Sequence, residues 1–130
     1  MIVDSSALLA VAFREPGYER ILAALGEAGP VAIGASTLAE TGIVLGARLG
    51  PEARAVLASL VQSLDLSVVP FRALHAQEAR EAYLRFGRGR HEAGLNFGDC
   101  LTYAVAKLAG EPLLFMGEDF ARTDLERMLA

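Results

Sequence analysis

The sequence predicts an α/β fold, with a central, mainly parallel sheet of four to five short strands flanked by about seven helices. Three observations carry that expectation. Short aliphatic or β-branched runs alternate with longer apolar patterns of helical period along the whole chain. Glycine or proline marks most changes of pattern. Just over half of the 130 residues are apolar and none of the chain is low-complexity, which suits one domain over residues 1–130 with one real core.

Ile2-Val3-Asp4 reads as a buried strand ending at Asp4, and Ser5 or Ser6 is the expected cap of a helix over Ala7–Phe13. Pro16-Gly17 ends that helix. Tyr18–Ala28 follows as a second helix, with Ile21, Leu22 and Leu25 on one face, and Gly29-Pro30 closes it. Val31-Ala32-Ile33 is the second strand. Ser36 is expected to cap a helix running to Leu49, with Leu38, Leu45 and Leu49 inward and Glu40 in its second turn. Gly50-Pro51 breaks the chain, and Pro51 suits the first turn of the next helix. The stripe Ala53, Val56, Leu57, Leu60, Val61, Leu64 is regular enough to cover a sheet or to serve as a dimer face.

Leu66-Ser67-Val68-Val69 is the third strand, closed by Pro70. A helix over Ala73–Phe86 is expected to turn Ala79, Ala82, Tyr83 and Phe86 to one side. Gly87-Arg88-Gly89-Arg90-His91 reads as a flexible basic loop. The stretch Asn96-Phe97-Gly98-Asp99 then opens a helix whose apolar face is Leu101, Ala104, Val105 and Leu108, ending at Gly110. Asp99 stands in its first turn, where the helix dipole favours negative charge. Leu113–Met116 is the fourth strand, Gly117-Glu118-Asp119 turns out of it, and a short terminal helix follows, with no clear strand after Asp124.

Composition narrows the function classes. A net charge of −4 argues against a general nucleic-acid coat protein. No uninterrupted apolar run is long enough for a membrane span, and no basic leader precedes an apolar segment, so neither membrane insertion nor export is expected. The single Cys100 forms no internal disulfide, which points to a reducing cytoplasm.

In a parallel sheet, ligands bind at the carboxyl ends of the strands. Asp4 and Asp119 follow strands, so the fold places them on that edge. Glu40 and Asp99 lie in early helical turns that can face it. Each acid alone has an ordinary explanation as a helix cap, a turn residue or solvated surface. Four elements aiming carboxylates at one cleft make a site. Clustered carboxylates repel, and a hard divalent cation relieves the repulsion. Oxygen ligands favour Mg²⁺ or Mn²⁺, whereas His75, His91 and Cys100 match no zinc spacing. An acidic Mg²⁺ site in turn points to phosphate chemistry, in which the metal activates and orients a water and stabilises the leaving oxygen.

The motifs Asp4-Ser5-Ser6-Ala7-Leu8, Ser36-Thr37-Leu38-Ala39-Glu40, Asn96-Phe97-Gly98-Asp99-Cys100 and Leu113–Phe120 resemble those of PIN-domain proteins, and most closely VapC toxins of type II toxin–antitoxin systems. The resemblance covers essentially the whole chain. It implies a Mg²⁺- or Mn²⁺-dependent ribonuclease that cleaves RNA to 5′-phosphate and 3′-hydroxyl ends and slows translation. It also implies neutralisation by a VapB antitoxin, a homodimer, and contact with DNA only indirectly through the antitoxin. Carried over by motif, Asp4 and Asp99 are the principal metal ligands, Glu40 and Asp119 complete the quartet, and Ser6 and Asn96 match supporting polar positions. Asp124 either binds a water or caps the last helix. Arg88 and Arg90 either grip single-stranded RNA or form a solvated loop.

Other acid-bearing α/β modules fail at named residues. A receiver domain needs a second acid beside Asp4 and a lysine at a late strand end, yet Lys107 falls within a helix. A haloacid-dehalogenase-type phosphatase needs an Asp where Ser6 stands. A metal-dependent adhesion motif needs a Ser where Leu8 stands. A PIN fold without catalysis, acting as a binding partner, is the remaining alternative.

Overall fold

The computed structural model describes residues 1–127. Four strands, β1 (Ile2–Val3), β2 (Ala32–Gly34), β3 (Ser67–Val69) and β4 (Leu113–Leu114), form a sheet of order β3-β2-β1-β4. All three pairings are parallel, with Ile2 opposite both Ala32 and Leu113. The helices are α1 (Ser5–Phe13), α2 (Tyr18–Glu27), α3 (Ala35–Leu49), α4 (Ala53–Ser63), α5 (Ala73–Phe86) and α6 (Phe97–Ala109), with single 3-10 turns at Gly50–Glu52 and Phe120–Arg122. The expected short terminal helix is therefore one 3-10 turn. Among the described residues no helix is long and apolar enough to cross a membrane.

Alternation along the short strands divides the core between the two faces of the sheet. Ile2 and Leu113 pack with Ala82, Phe86, Leu95 and Tyr103 on the α5–α6 side. Val3, Ile33 and Leu114 pack with Leu8, Ile21 and Leu25 on the α1–α2 side. The strands are so short that each contributes only one or two residues per face, and helices supply most of the core.

Several local expectations are corrected. Asp4 itself, not Ser5 or Ser6, caps α1: its carboxylate accepts from the Ser6 N–H. Gly34, not Ser36, precedes α3, and no side chain caps that helix. Leu22, Tyr83 and Leu108 face solvent, and α6 turns Cys100, Thr102 and Tyr103 inward along with Ala104 and Val105. The basic loop is a closed turn: Gly87 and Leu95 form a parallel bridge, and Gly89 takes a positive φ of 83° inside it. The chain also does not leave the sheet after Asp124. Arg127 bridges Leu113 in parallel, and Leu113 N–H donates to the Glu126 carbonyl at 3.0 Å. That contact continues the sheet beyond β4, and a sequence of Glu-Arg at that point carries no β signal by which to foresee it.

The strand order places the reversal of winding between β1 and β4, where an open parallel sheet leaves a crevice. A bond across it ties the two strand ends together: the backbone N–H of Met116 donates to Ser6 Oγ at 3.0 Å.

Candidate active site

The crevice is floored by Asp4, which is 4% exposed. Its Oδ2 accepts from Ser6 N–H at 3.1 Å and from Ser6 Oγ at 2.6 Å, and its Oδ1 accepts from Thr102 Oγ1 at 2.9 Å. Thr102 Oγ1 also pairs with Thr37 Oγ1 at 2.9 Å, so α3, α6 and the end of β1 meet in one buried polar chain. Every oxygen in that chain has a partner, which is what makes burial of a carboxylate tolerable here.

Asp99 enters from the first turn of α6. Asn96 Oδ1 accepts from the Asp99 N–H at 2.9 Å, and Asp99 Oδ2 accepts from the Asn96 N–H at 3.1 Å. This reciprocal cap sets the direction of the Asp99 side chain. Burial, together with the neighbouring carboxylates of Asp119 and Asp4, pushes the Asp99 carboxyl up to about 7 against the opposing hydrogen bond from Asn96. Asp119 starts the 3-10 turn after β4, yet its side chain makes no capping bond, which leaves the carboxyl free to face Asp99.

Glu40 approaches from α3. Ser5 Oγ donates to Glu40 Oε1 at 2.8 Å, and the glutamate carboxyl lies against Gly98, where a Cβ would overlap Oε2. Glu40 is thereby held between the residue after Asp4 and the residue before Asp99. Glycine at 98 is a requirement of close approach.

Asp4 and Asp119 are thus near enough to Asp99 to raise its carboxyl, and Glu40 is tied to the neighbouring residues Ser5 and Gly98. Ser6 and Asn96 support the acids from below and from the side. Asp124 is engaged elsewhere: it accepts from Tyr103 Oη at 2.6 Å, Lys107 Nζ at 2.8 Å and Arg85 at 3.3 Å. Burial alone would raise the Asp124 carboxyl, but the bonds from Lys107 and Tyr103 and the charges of Lys107 and Arg85 outweigh it and hold the group at about 2. Arg88 and Arg90 are exposed, and the Arg90 guanidinium sits 5.5 Å from the centre of the Tyr83 ring.

Three contributors escaped sequence reading: Ser5, Thr37 and Thr102. A signal for two of them exists. Thr102 is three residues after Asp99, and Thr37 three before Glu40, so each shares a helix face with its acid. The two histidines are occupied, since Nδ1 of His75 accepts from Arg72 N–H and Nδ1 of His91 accepts from Ala93 N–H, each at 3.0 Å. Burial and the adjacent Asp99 push the Cys100 thiol up to about 11, far from thiolate reactivity. Among the described residues, no group of three or more His, Cys, Asp or Glu side chains is placed so that it could hold a metal ion. The open cluster is all oxygen and its mutual repulsion is uncompensated, a chemistry that suits a hard divalent cation.

Comparison with known proteins identifies the family. The family profile described as PIN domain matches residues 1–126. Ribonuclease VapC36 of Mycobacterium tuberculosis is 50% identical over 127 residues, which span 97% of this chain and 91% of that protein. Among solved structures, the sarcin-ricin loop cleaving toxin VapC20 of M. tuberculosis superimposes with a TM-score of 0.80 at 21% identity, covering 99% of this chain and 98% of that one. VapBC2 from Rickettsia felis, bound to a DNA fragment from its promoter, superimposes with a TM-score of 0.78 at 17% identity over 98% of this chain and 96% of that one. The chain belongs to the PIN-domain family and, within it, to the VapC ribonucleases.

Proposed function

We propose that this chain is a divalent-metal-dependent endoribonuclease, the toxin of a VapBC module, which inhibits translation until a VapB-type antitoxin neutralises it. The observation that carries this reading is the juxtaposition of Asp99 with Asp119 and Asp4 at the carboxyl edge of the sheet. Identity of 50% to a ribonuclease over nearly the whole chain supports it.

In this reading Asp4 and Asp99 hold a Mg²⁺ or Mn²⁺ ion, and Glu40 and Asp119 complete the site. When bound, such an ion supplies Lewis-acid stabilisation of phosphate charge and acidifies water. The chain's own groups do the rest. Ser6 and Thr102 fix the Asp4 carboxylate in one orientation, so no rotamer search precedes binding. Asn96 does the same for Asp99. Asp119 and Glu40 supply the proton acceptor or the water-orienting group in this reading. Arg88 and Arg90 are exposed cations available to the RNA backbone.

Self-association into a homodimer belongs to the same proposal. An apolar groove of about 870 Å³ between α5 and α6, lined by residues that include Phe71, Tyr83, Leu84 and Phe97, supports it better than the α4 stripe singled out in the sequence. The stripe on α4 is only half-exposed because α4 packs on α3.

The test is cleavage of a broad panel of structured RNAs in Mg²⁺, with and without EDTA, beside Asp99→Asn. Metal-dependent cleavage above that control is the expected result. Its absence across the panel would leave the chain as a catalytically silent PIN-fold binding protein.

A further inference from the structure

Beside the acid cluster lies a second, smaller cleft of about 290 Å³ whose walls include Ser36, Glu40, Ile43, Phe97, Gly98 and Leu101. Three features of it stand out, although the first, Phe97, also lines the larger groove between α5 and α6. Phe97 is the first residue of α6 and is 79% exposed. Ile43 is 73% exposed on the facing helix α3. Ser36 Oγ is buried with no hydrogen-bond partner among the described residues, although buried hydroxyls are nearly always paired. The cleft is continuous with the acid cluster, because Glu40 and Gly98 belong to both.

We propose that this cleft is a nucleobase subsite, in which Phe97 stacks on the base next to the scissile phosphate and Ser36 Oγ hydrogen-bonds to that base's edge. The inference rests on the ribonuclease reading and adds to it the residues that select the base. The size fits one flat heterocycle and is at the bottom of the range for small-molecule pockets, too small for a helix of a protein partner. Stacking needs an exposed aromatic face at a fixed place, and single-stranded RNA presents unstacked bases to such faces. Phe97 meets this condition because the Asn96–Asp99 cap fixes the helix start from which it projects. Its separation from Asp99 is two residues, so a base held on the ring brings its own phosphate toward the acids. Ser36 supplies a group that both donates and accepts, which suits base edges of either type.

The chain has no tryptophan, so Phe97→Trp installs a single fluorophore at the stacking position. Its exposure keeps the substitution out of the core. Quenching of that fluorophore by short single-stranded oligoribonucleotides and by nucleoside monophosphates, but not by ribose 5-phosphate, is the expected result. Phe97→Ala is expected to raise KM for RNA cleavage roughly ten-fold, within the range for loss of one base–aromatic stack, and Ser36→Ala to change which base is preferred beside the cut. An unquenched Phe97→Trp together with an unchanged KM in Phe97→Ala overturns the subsite while leaving the nuclease intact. A fluorescence change that follows protein concentration and ignores RNA also overturns it, and assigns Phe97 to self-contact. If the wild-type protein cuts no RNA, the nuclease reading fails by itself. Quenching by bases then still establishes a base-binding cleft, and its absence removes both.

Discussion

Thr102 Oγ1 donates to Asp4 Oδ1 at 2.9 Å, joining the end of the first strand to the middle of the last long helix across 98 positions of sequence. Both groups are almost fully buried, and the same threonine pairs with Thr37 on α3. Thr102→Val keeps the shape and removes the hydroxyl. It leaves the Asp4 oxygen without its one partner among the described residues and should cost about 1–3 kcal/mol in urea denaturation. Thr102→Ser should retain most of the stability. Cleavage by Thr102→Val should fall as well, because Asp4 is then free to turn.

Asp99 has a raised carboxyl, at about 7, so it is half protonated near neutrality without a metal. A divalent cation must displace that proton. Mn²⁺ affinity measured by calorimetry should therefore rise between pH 6 and 8, with proton release on binding. Asp119→Asn removes a raising charge and should move that rise to lower pH. A flat affinity across this range would show that Asp99 is ionised throughout.

The same shift has a consequence for stability. The folded-state value lies above the ordinary aspartate value of 3.8, so the folded protein holds the extra proton between about 4 and 7. Stability should fall as pH rises through that window, with the loss complete above about 7. Asp99→Asn keeps an oxygen for the Asn96 cap and carries no charge. In metal-free buffer it should be more stable than the wild type at pH 8, by on the order of 1 kcal/mol after allowance for solvent screening. The two proteins should converge near pH 4.

Gly98 separates a packing role from a stability role. A methyl group at 98 meets only the end of the Glu40 side chain, which can swing away. Gly98→Ala should therefore change the unfolding free energy by under about 1 kcal/mol, since alanine is also the better helix former. It should nevertheless reduce cleavage at least ten-fold (about 1.4 kcal/mol in barrier), because Glu40 loses its place. Equal losses of stability and activity would mean that Glu40 has no distinct part in the site.

Asp124 should behave as a structural residue. Its lowered carboxyl, at about 2, gains stability from Tyr103, Lys107 and Arg85 that is present above pH 4 and lost as pH falls toward 2. Asp124→Asn should thus be less stable than the wild type at pH 7 and indistinguishable from it near pH 2. Cleavage per folded molecule should be unchanged. A loss of activity without a loss of stability would return Asp124 to the active site.

Local pattern was enough to place every helix to within a few residues, to order the strands along the chain, and to nominate the acids. Those features depend on periodicity, turn residues and short-range caps, all written within a few positions of each other. The Asn96–Asp99 cap is one such case. The caps at Asp4 and Gly34 were misread because several capping residues stand side by side and only backbone geometry chooses among them. Contacts between distant segments were the province of the tertiary structure. Thr102 reads as one polar residue in a buried helix until Asp4 is packed beneath it. Asp124 reads as another acid near the last strand until Tyr103, Lys107 and Arg85 close around it. Arg127 becomes a sheet partner only because Leu113 has a free edge there. In each case the deciding quantity is whether a buried polar group finds a partner, and that partner lies far away in sequence.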